Sequence, residues 1–316
     1  MKKAKLEYAI KLQEREKVRK QNIANYFTNF IVKYHRPWLQ RLADAYKERG
    51  EFPMFPIVIL PSYYEDIRDK EVAAFAALLI NENGGFERVL AFKEMLGESP
   101  WDWFEKRYFV KLSLGSVQNE RTGGVENWKI ARLFDRLWCE CHVCDYEIPN
   151  FENPWITYKQ SCVANIGNIV HHISNIQYCS YFDALTYLVE DCGVGNYYYK
   201  LRLLLMLFCS SDGFGLAQWH SNVKDELKCP LALGVRQFVE TWFPDYKRLG
   251  DVDRAIKLFG LNGECDFFYA FWGYKELQKR NPAECSLYAT RYNTWYALGS
   301  RVKKYKWEGF LPKISF

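Results

Sequence analysis

The sequence predicts an all-α protein, and three observations carry that expectation. Helix-opening patterns recur: Ser99-Pro100-Trp101-Asp102, Ser180-x-x-Asp183 and Asn281-Pro282-Ala283-Glu284 each set a capping side chain ahead of a first-turn proline, an acid or both. Between Asp69 and Ile80 the apolar residues Val72, Ala73, Phe75, Ala76, Leu79 and Ile80 recur at helical spacing, and Asn83-Gly84-Gly85 ends the run. Alternating apolar and polar runs, the mark of half-buried strands, are nearly absent.

Taken in order, residues 2–20 carry Lys2, Lys3, Lys5, Lys11, Arg15, Lys17, Arg19 and Lys20 against Glu7, Glu14 and Glu16. Leu6, Ala9, Ile10 and Leu12 are too few for a broad apolar face, so this reads as an exposed basic helix, either simply solvated or in contact with phosphate. Residues 1–50 are expected to form a basic N-terminal helical extension. From Gly50 to Pro61 the prolines Pro53, Pro56 and Pro61 surround Ile57–Leu60, which predicts an extended, non-helical segment leading into the main fold. The helical core is expected over 51–280, with an insertion at about 110–175, followed by a C-terminal helix and tail over 281–316. No internal repeat or low-complexity tract interrupts this order.

Composition narrows the function classes. Of 316 residues, 49% are hydrophobic and 26% charged, enough to bury a sizeable core. The net charge of +5 permits a polyanionic partner without requiring one. The longest apolar stretch, Leu203–Cys209, falls far short of the roughly 20 residues that span a bilayer. The charged N-terminus lacks the apolar region of a secretory signal, and the ten cysteines read as reduced thiols of a cytoplasm, without disulfides. Aromatic residues reach 17%; most belong to the core, although base stacking uses the same residue types.

The most informative segment is Leu185–Phe243. It runs through Gly193-Val194-Gly195, an apolar helix over Leu201–Phe208, a loop with Gly213 and Gly215, and then Pro230-Leu231-Ala232-Leu233-Gly234-Val235-Arg236. A Gly-x-Gly turn between two helices exposes successive backbone N–H groups that can hold a phosphate, and an ordinary helix-turn-helix corner uses the same residues. Lys200 and Arg202 follow one to two helical turns later.

In this order the motifs resemble those of the helix-hairpin-helix DNA glycosylase superfamily. Gly193-Val194-Gly195 matches the hairpin, and Pro230-Leu231 with Val235 and Arg236 matches the later Pro-[Val/Leu]-Asp-x-His-Val-x-Arg motif. Asp69–Asn81 is similar to the family's opening core helix, so that Asn81, Glu82 or Asn83 would hold the place of the polar residue that enters the duplex. Asp266–Gly273 is similar to a late segment of an uncharacterised bacterial branch. The likeness covers roughly residues 60–275. It implies a helix-hairpin-helix glycosylase-like fold and binding of double-stranded DNA through Asn81, Asn83, Gly193, Val194, Gly195, Asn196, Arg202 and Arg236.

The departures bear on chemistry. Ala232 stands where the family carries its catalytic aspartate, and Tyr197 or Tyr198 stands where bifunctional members carry a lysine nucleophile, with Lys200 one turn on. Of the acids that could replace the missing one, Asp225, Glu226, Asp183, Glu190 and Asp191, the adjacent Asp225 and Glu226 lie nearest the vacant position, and Asp225 is the favoured candidate. Some phage and bacterial branches of the superfamily, similar to alpha-glutamyl or putrescinyl thymine pyrophosphorylases, are assigned to thymine hypermodification. There an activated 5-substituted base receives an amine or amino acid. The resemblance therefore favours hypermodification over excision, with Asp225 and Lys200 as candidate catalytic residues. The alternatives are a glycosylase with a replaced acid and a non-catalytic DNA-binding or assembly protein. For an extruded base, Tyr197, Tyr198, Tyr199, Trp219 and Trp242 are candidate stacking partners.

Cys139-Glu140-Cys141-His142-Val143-Cys144 offers thiolate and imidazole ligands of the kind zinc takes, but it lacks the second ligand pair of a structural site, so buried thiols are the favoured reading. Cys162, His171 or His172 would have to complete it. An iron–sulfur cluster is not expected, because the C-terminal region supplies only Cys265 and Cys285. His171, His172 and His220 read as structural histidines. The absence of phosphate-loop, nucleophile-elbow and His-Glu-x-x-His patterns removes the main support for nucleotide hydrolysis, serine hydrolase and zincin chemistry.

Overall fold

The structure, a computed structural model, describes residues 2–50, 55–80, 85–113, 125–142, 165–195, 197–210, 219, 227–240, 249–263 and 265–281. These form helices α1 (Lys2–Glu48), α2 (Pro56–Ile59), α3 (Ile67–Ala77), α4 (Gly85–Leu96), α5 (Pro100–Glu105), α6 (Val110–Ser113) and α7 (Asn127–His142). They continue with α8 (Ile166–Gln177), α9 (Tyr181–Val189), α10 (Tyr197–Cys209), α11 (Leu233–Glu240), α12 (Leu249–Phe259) and α13 (Asp266–Arg280). No strand occurs among the described residues, so the fold class is all-α. No described helix is long and apolar enough to cross a membrane.

The caps follow the local chemistry. Ser99 accepts from the Asp102 N–H at 3.3 Å, with Pro100 at the first helical position of α5. Ser180 accepts from the Asp183 N–H at 3.1 Å and opens α9. The segment around Ile57–Leu60 corrects an expectation: it is not extended. Pro56 opens the one-turn helix α2, closed by the Leu60 N–H on the Pro56 carbonyl, and Pro61 opens a 3₁₀ turn over Pro61–Tyr63. Proline lacks only an N–H that the first turn leaves unused, so these prolines start turns rather than forbid them. The expected helix at Asn281 lies outside the described residues beyond Asn281 itself, which caps the C-terminus of α13.

The chain divides into two compact units, one of residues 50–230 and one that joins 1–49 to 231–316. In the first, α3 is the central helix. Every residue from Glu71 to Ile80 is buried, and α2, α4, α5 and α8 pack around it. Asp69 ties α3 to α5 by accepting from the Trp101 N–H at 2.7 Å. Trp103, Phe104, Phe109 and Phe134 form one aromatic cluster across α5, α7 and the chain between α5 and α6. α10 is also an interior helix, with all residues from Tyr199 to Cys209 buried.

In the second unit α1 packs along α13 and against α12. Its first half is exposed where described, at Ile10, Lys11, Leu12, Arg15, Lys17 and Val18, whereas Trp38, Leu39, Ala43 and Tyr46 are buried. Phe238 of α11 lies against Phe267, Phe271 and Tyr274 of α13. The buried Asp266 accepts from Lys47 Nζ at 2.8 Å, Gln40 Nε2 at 2.7 Å and the Gly263 N–H at 3.1 Å. Burying a carboxylate completely is costly without this degree of pairing.

Candidate nucleic-acid interface

The turn between α9 and α10 is built from the inside outward. α9 ends where the Glu190 N–H bonds the Thr186 carbonyl at 2.9 Å, and the Cys192 N–H bonds the Val189 carbonyl at 3.1 Å. Asp191 at φ 59° and Gly193 at φ 75° are both left-handed, which reverses the chain within a few residues. Cys192 and Val194 are buried and anchor the turn, while Gly193 and Gly195 stay on its outer surface. Around Gly195 no heavy atom lies within 4 Å of where a Cβ would stand. Among the described residues none accepts from the N–H groups of Gly193, Val194 or Gly195. Successive backbone N–H groups that no described residue engages are donors that an anionic oxygen can accept from.

One face of α7 frames this turn. The Lys129 side chain runs so close over Gly193 that a Cβ there would come within 2.8 Å of its methylenes. Arg132 Nη2 lies 4.0 Å from the Asp191 carboxylate. Arg136 Nη1 donates to the Glu190 carbonyl at 2.9 Å, and its guanidinium lies 4.5 Å from the Tyr187 ring centre. Burial pushes the Cys192 thiol up, and Arg136 and Arg132 partly offset that rise. Trp128 is exposed with Lys129 Nζ 5.5 Å from its ring centre, and Tyr198 is exposed against Phe182. Sequence reasoning missed the three α7 residues. Their spacing opposite the buried Ile130, Leu133, Phe134 and Leu137 marks a polar helix face, but nothing local indicates which turn that face meets.

The residues singled out from sequence are distributed differently. Gly193, Val194 and Gly195 form the turn; Asn196, Asn81, Asn83 and Asp225 lie outside the described residues. Lys200 is buried, and its ammonium donates to the Leu78 and Ile80 carbonyls at 2.5 and 3.0 Å, capping the C-terminal end of α3. That is a favourable place for a cation. Arg202 is likewise buried and donates to the Cys229 carbonyl at 3.2 Å. Arg236 is half-buried on α11, and its N–H bonds the carbonyl of Ala232 at 3.0 Å. The Pro230-Leu231 motif straddles the two units, Pro230 ending one and Leu231 resuming the other.

Of the stacking candidates, Trp219 is buried, stacked on Phe208 with ring centres 4.7 Å apart, and Tyr199 is buried beside Phe55. Trp242 lies outside the described residues. In the cysteine segment, Cys139 is exposed and Cys141 buried, while Cys144 and Cys162 lie outside the described residues. No group of three or more metal-ligating side chains occurs among the described residues. His171 bonds the Tyr181 hydroxyl at 2.6 Å and the Asn175 amide at 3.0 Å; His172 is exposed and His220 lies outside the described residues.

A second polar cluster sits deep in the same unit. Glu71 accepts from the Ile166 N–H at 2.6 Å, the Gly167 N–H at 3.2 Å and Trp219 Nε1 at 2.7 Å. Burial pushes its carboxyl up to about 7, against the three donors, which favour the ionised form. The carboxyl thus caps the N-terminus of α8 and tethers Trp219 to it. With its side chain sealed from solvent, Glu71 is a structural clasp rather than a group open to substrate. Comparisons with protein-family models, curated proteins and solved structures found no match to this chain.

Proposed function

We propose that the protein binds double-stranded DNA through the α9–α10 turn and acts on a base of that DNA, with thymine-type hypermodification favoured over excision. The observation that carries the binding half is the turn itself: left-handed residues at 191 and 193, an open Gly195 and N–H groups that none of the described residues accepts from, with α7 cations alongside. Phosphate oxygens suit such donors, and the surrounding lysine and arginine side chains add the attraction that steers a polyanion.

The chemical half rests on the resemblance and on two departures from it. Ala232 supplies no acid, and the Lys200 ammonium is engaged by two backbone carbonyls, where an amine nucleophile would need a free lone pair. Both argue against glycosidic cleavage by the family's usual groups. An amine or amino acid is the donor that the hypermodification reading requires.

Two measurements test the proposal. Affinity for a duplex should fall steeply with salt, and Gly193→Pro should abolish binding while the protein still melts cooperatively, because proline cannot adopt φ 75°. Mass spectrometry of nucleosides should then show a heavier base after incubation with duplexes containing 5-hydroxymethyluracil or its phosphorylated form and an amine donor. A free base or abasic site would establish excision instead. Unchanged nucleosides on a duplex that still binds would leave the binding half and remove the chemistry.

A further inference from the structure

We propose that α7 is the second wall of the DNA site. Its Lys129, Arg132 and Arg136 lie alongside a phosphodiester strand held at the Asp191–Gly195 turn, and Asp191 occupies on Arg132 the place a phosphate takes when DNA binds. This rests on the reading of the turn as a DNA contact. It concerns a helix within the stretch of about 110–175 that the resemblance treats as an insertion and assigns no role.

The three cations do different work. Arg136 is held by the Glu190 carbonyl and the Tyr187 ring, so it fixes the end of α9. Lys129 lays its methylenes against Gly193 and carries its ammonium to Glu126, so it braces the turn. Arg132 differs from both: its side chain is 53% exposed, and it faces the Asp191 carboxylate 4.0 Å away, itself 75% exposed. An exposed ion pair at that distance contributes little. A phosphate that accepts two guanidinium hydrogens binds better than that single loose contact, so exchange is favourable.

Of the other carboxylates near α7, three are engaged elsewhere, and the exposed Glu190 next to Asp191 gives Arg136 its backbone carbonyl. Glu126 pairs with Lys129, Asp135 with Arg107 at 3.1 Å, and Glu140 accepts from the Tyr187 hydroxyl at 2.9 Å. Asp191 is the acid whose pairing lies on the turn itself. From Lys129 to Arg136 the helix advances about 10 Å, close to three base-pair steps at about 3.4 Å each. The wall is therefore long enough to follow a strand past the turn.

A double-mutant cycle tests the exchange, using duplex DNA of random sequence, with affinities compared at equal salt and repeated across a salt series. Asp191→Asn leaves the left-handed backbone accessible, because asparagine adopts it as readily as aspartate. It should tighten binding by roughly five-fold, the equivalent of one exposed ion pair. Arg132→Gln should weaken binding by a similar factor and lower the slope of log affinity against log salt by about one. The key arm is the double variant, where Asp191→Asn should bring no further gain once Arg132 is absent. An equal gain in both backgrounds would overturn the exchange, since it would reflect removal of a negative charge alone. Unchanged affinity and slope in Arg132→Gln, with wild-type binding intact and Gly193→Pro defective, would overturn the wall while sparing the turn. Wild-type protein that binds no duplex, or prefers an RNA duplex to DNA, would overturn the DNA reading itself and the wall with it.

Discussion

Glu71 places a carboxyl group where charge is costly and then surrounds it with donors. Its pKa of about 7 in the folded chain lies above the ordinary 4.5, so the folded state binds this proton more tightly than the unfolded one. The stabilisation from this group is therefore fully present below about pH 4.5 and is lost as pH rises to about 7, on the order of 3 kcal/mol across the window. Buried His35, whose imidazole is pushed down to about 4, adds stability as pH rises through the same range, so the Glu71 effect is read as a difference: by denaturation midpoints, the stability of the wild-type protein relative to Glu71→Gln should decline from pH 4.5 to 8. A difference that does not change with pH would assign the proton to another group. Glu71→Ala should cost at least about 3 kcal/mol at any pH, because it strands buried donors and leaves a cavity. None of this was legible in Asp69-Lys70-Glu71, where three adjacent polar residues look alike. Only the packing of α3 decides that Asp69 caps α5 while Glu71 turns inward. Lys200 and Arg202 misled for the same reason. They look like surface cations after a turn, but α10 is interior, and their charged ends find backbone carbonyls.

At the scale of elements, the α1–α13 pairing is set by a close approach and a buried acid. At Gly273 a Cβ would come within 2.5 Å of the Leu42 carbonyl oxygen, so the two backbones meet where glycine has no side chain. Gly273→Ala should destabilise the protein by about 1–3 kcal/mol despite the better helix propensity of alanine, and a melting curve checks it. A rise in melting temperature would mean that the helices can separate without loss. Helix starts were the most legible part of this fold, since Ser99 and Ser180 act through residues three positions away. Helix partners were not: α7 meets a turn more than fifty residues further on. The prolines at 56 and 61 show a different limit, because a residue that breaks a helix interior also opens a helical turn.

For the whole molecule, the discontinuous unit matters most. The basic helix reads from sequence as an appendage because its first half is polar. Its second half, with Trp38, Leu39, Ala43 and Tyr46, supplies core to the unit that contains 231–316. Removing residues 1–49 should therefore expose α13 to proteolysis and rapid hydrogen exchange, while α3 and α10 in the 50–230 unit keep their protection. Equal protection of α13 in the shortened chain would mean that α1 is dispensable to that unit. The same arrangement has a consequence in time. α1 leaves the ribosome before its partner α13, which follows roughly two hundred residues later, a delay of about 10–40 s at ordinary synthesis rates. During that interval the contiguous unit can finish folding, while the buried stripe of α1 waits bare, a natural target for chaperones that guard nascent chains.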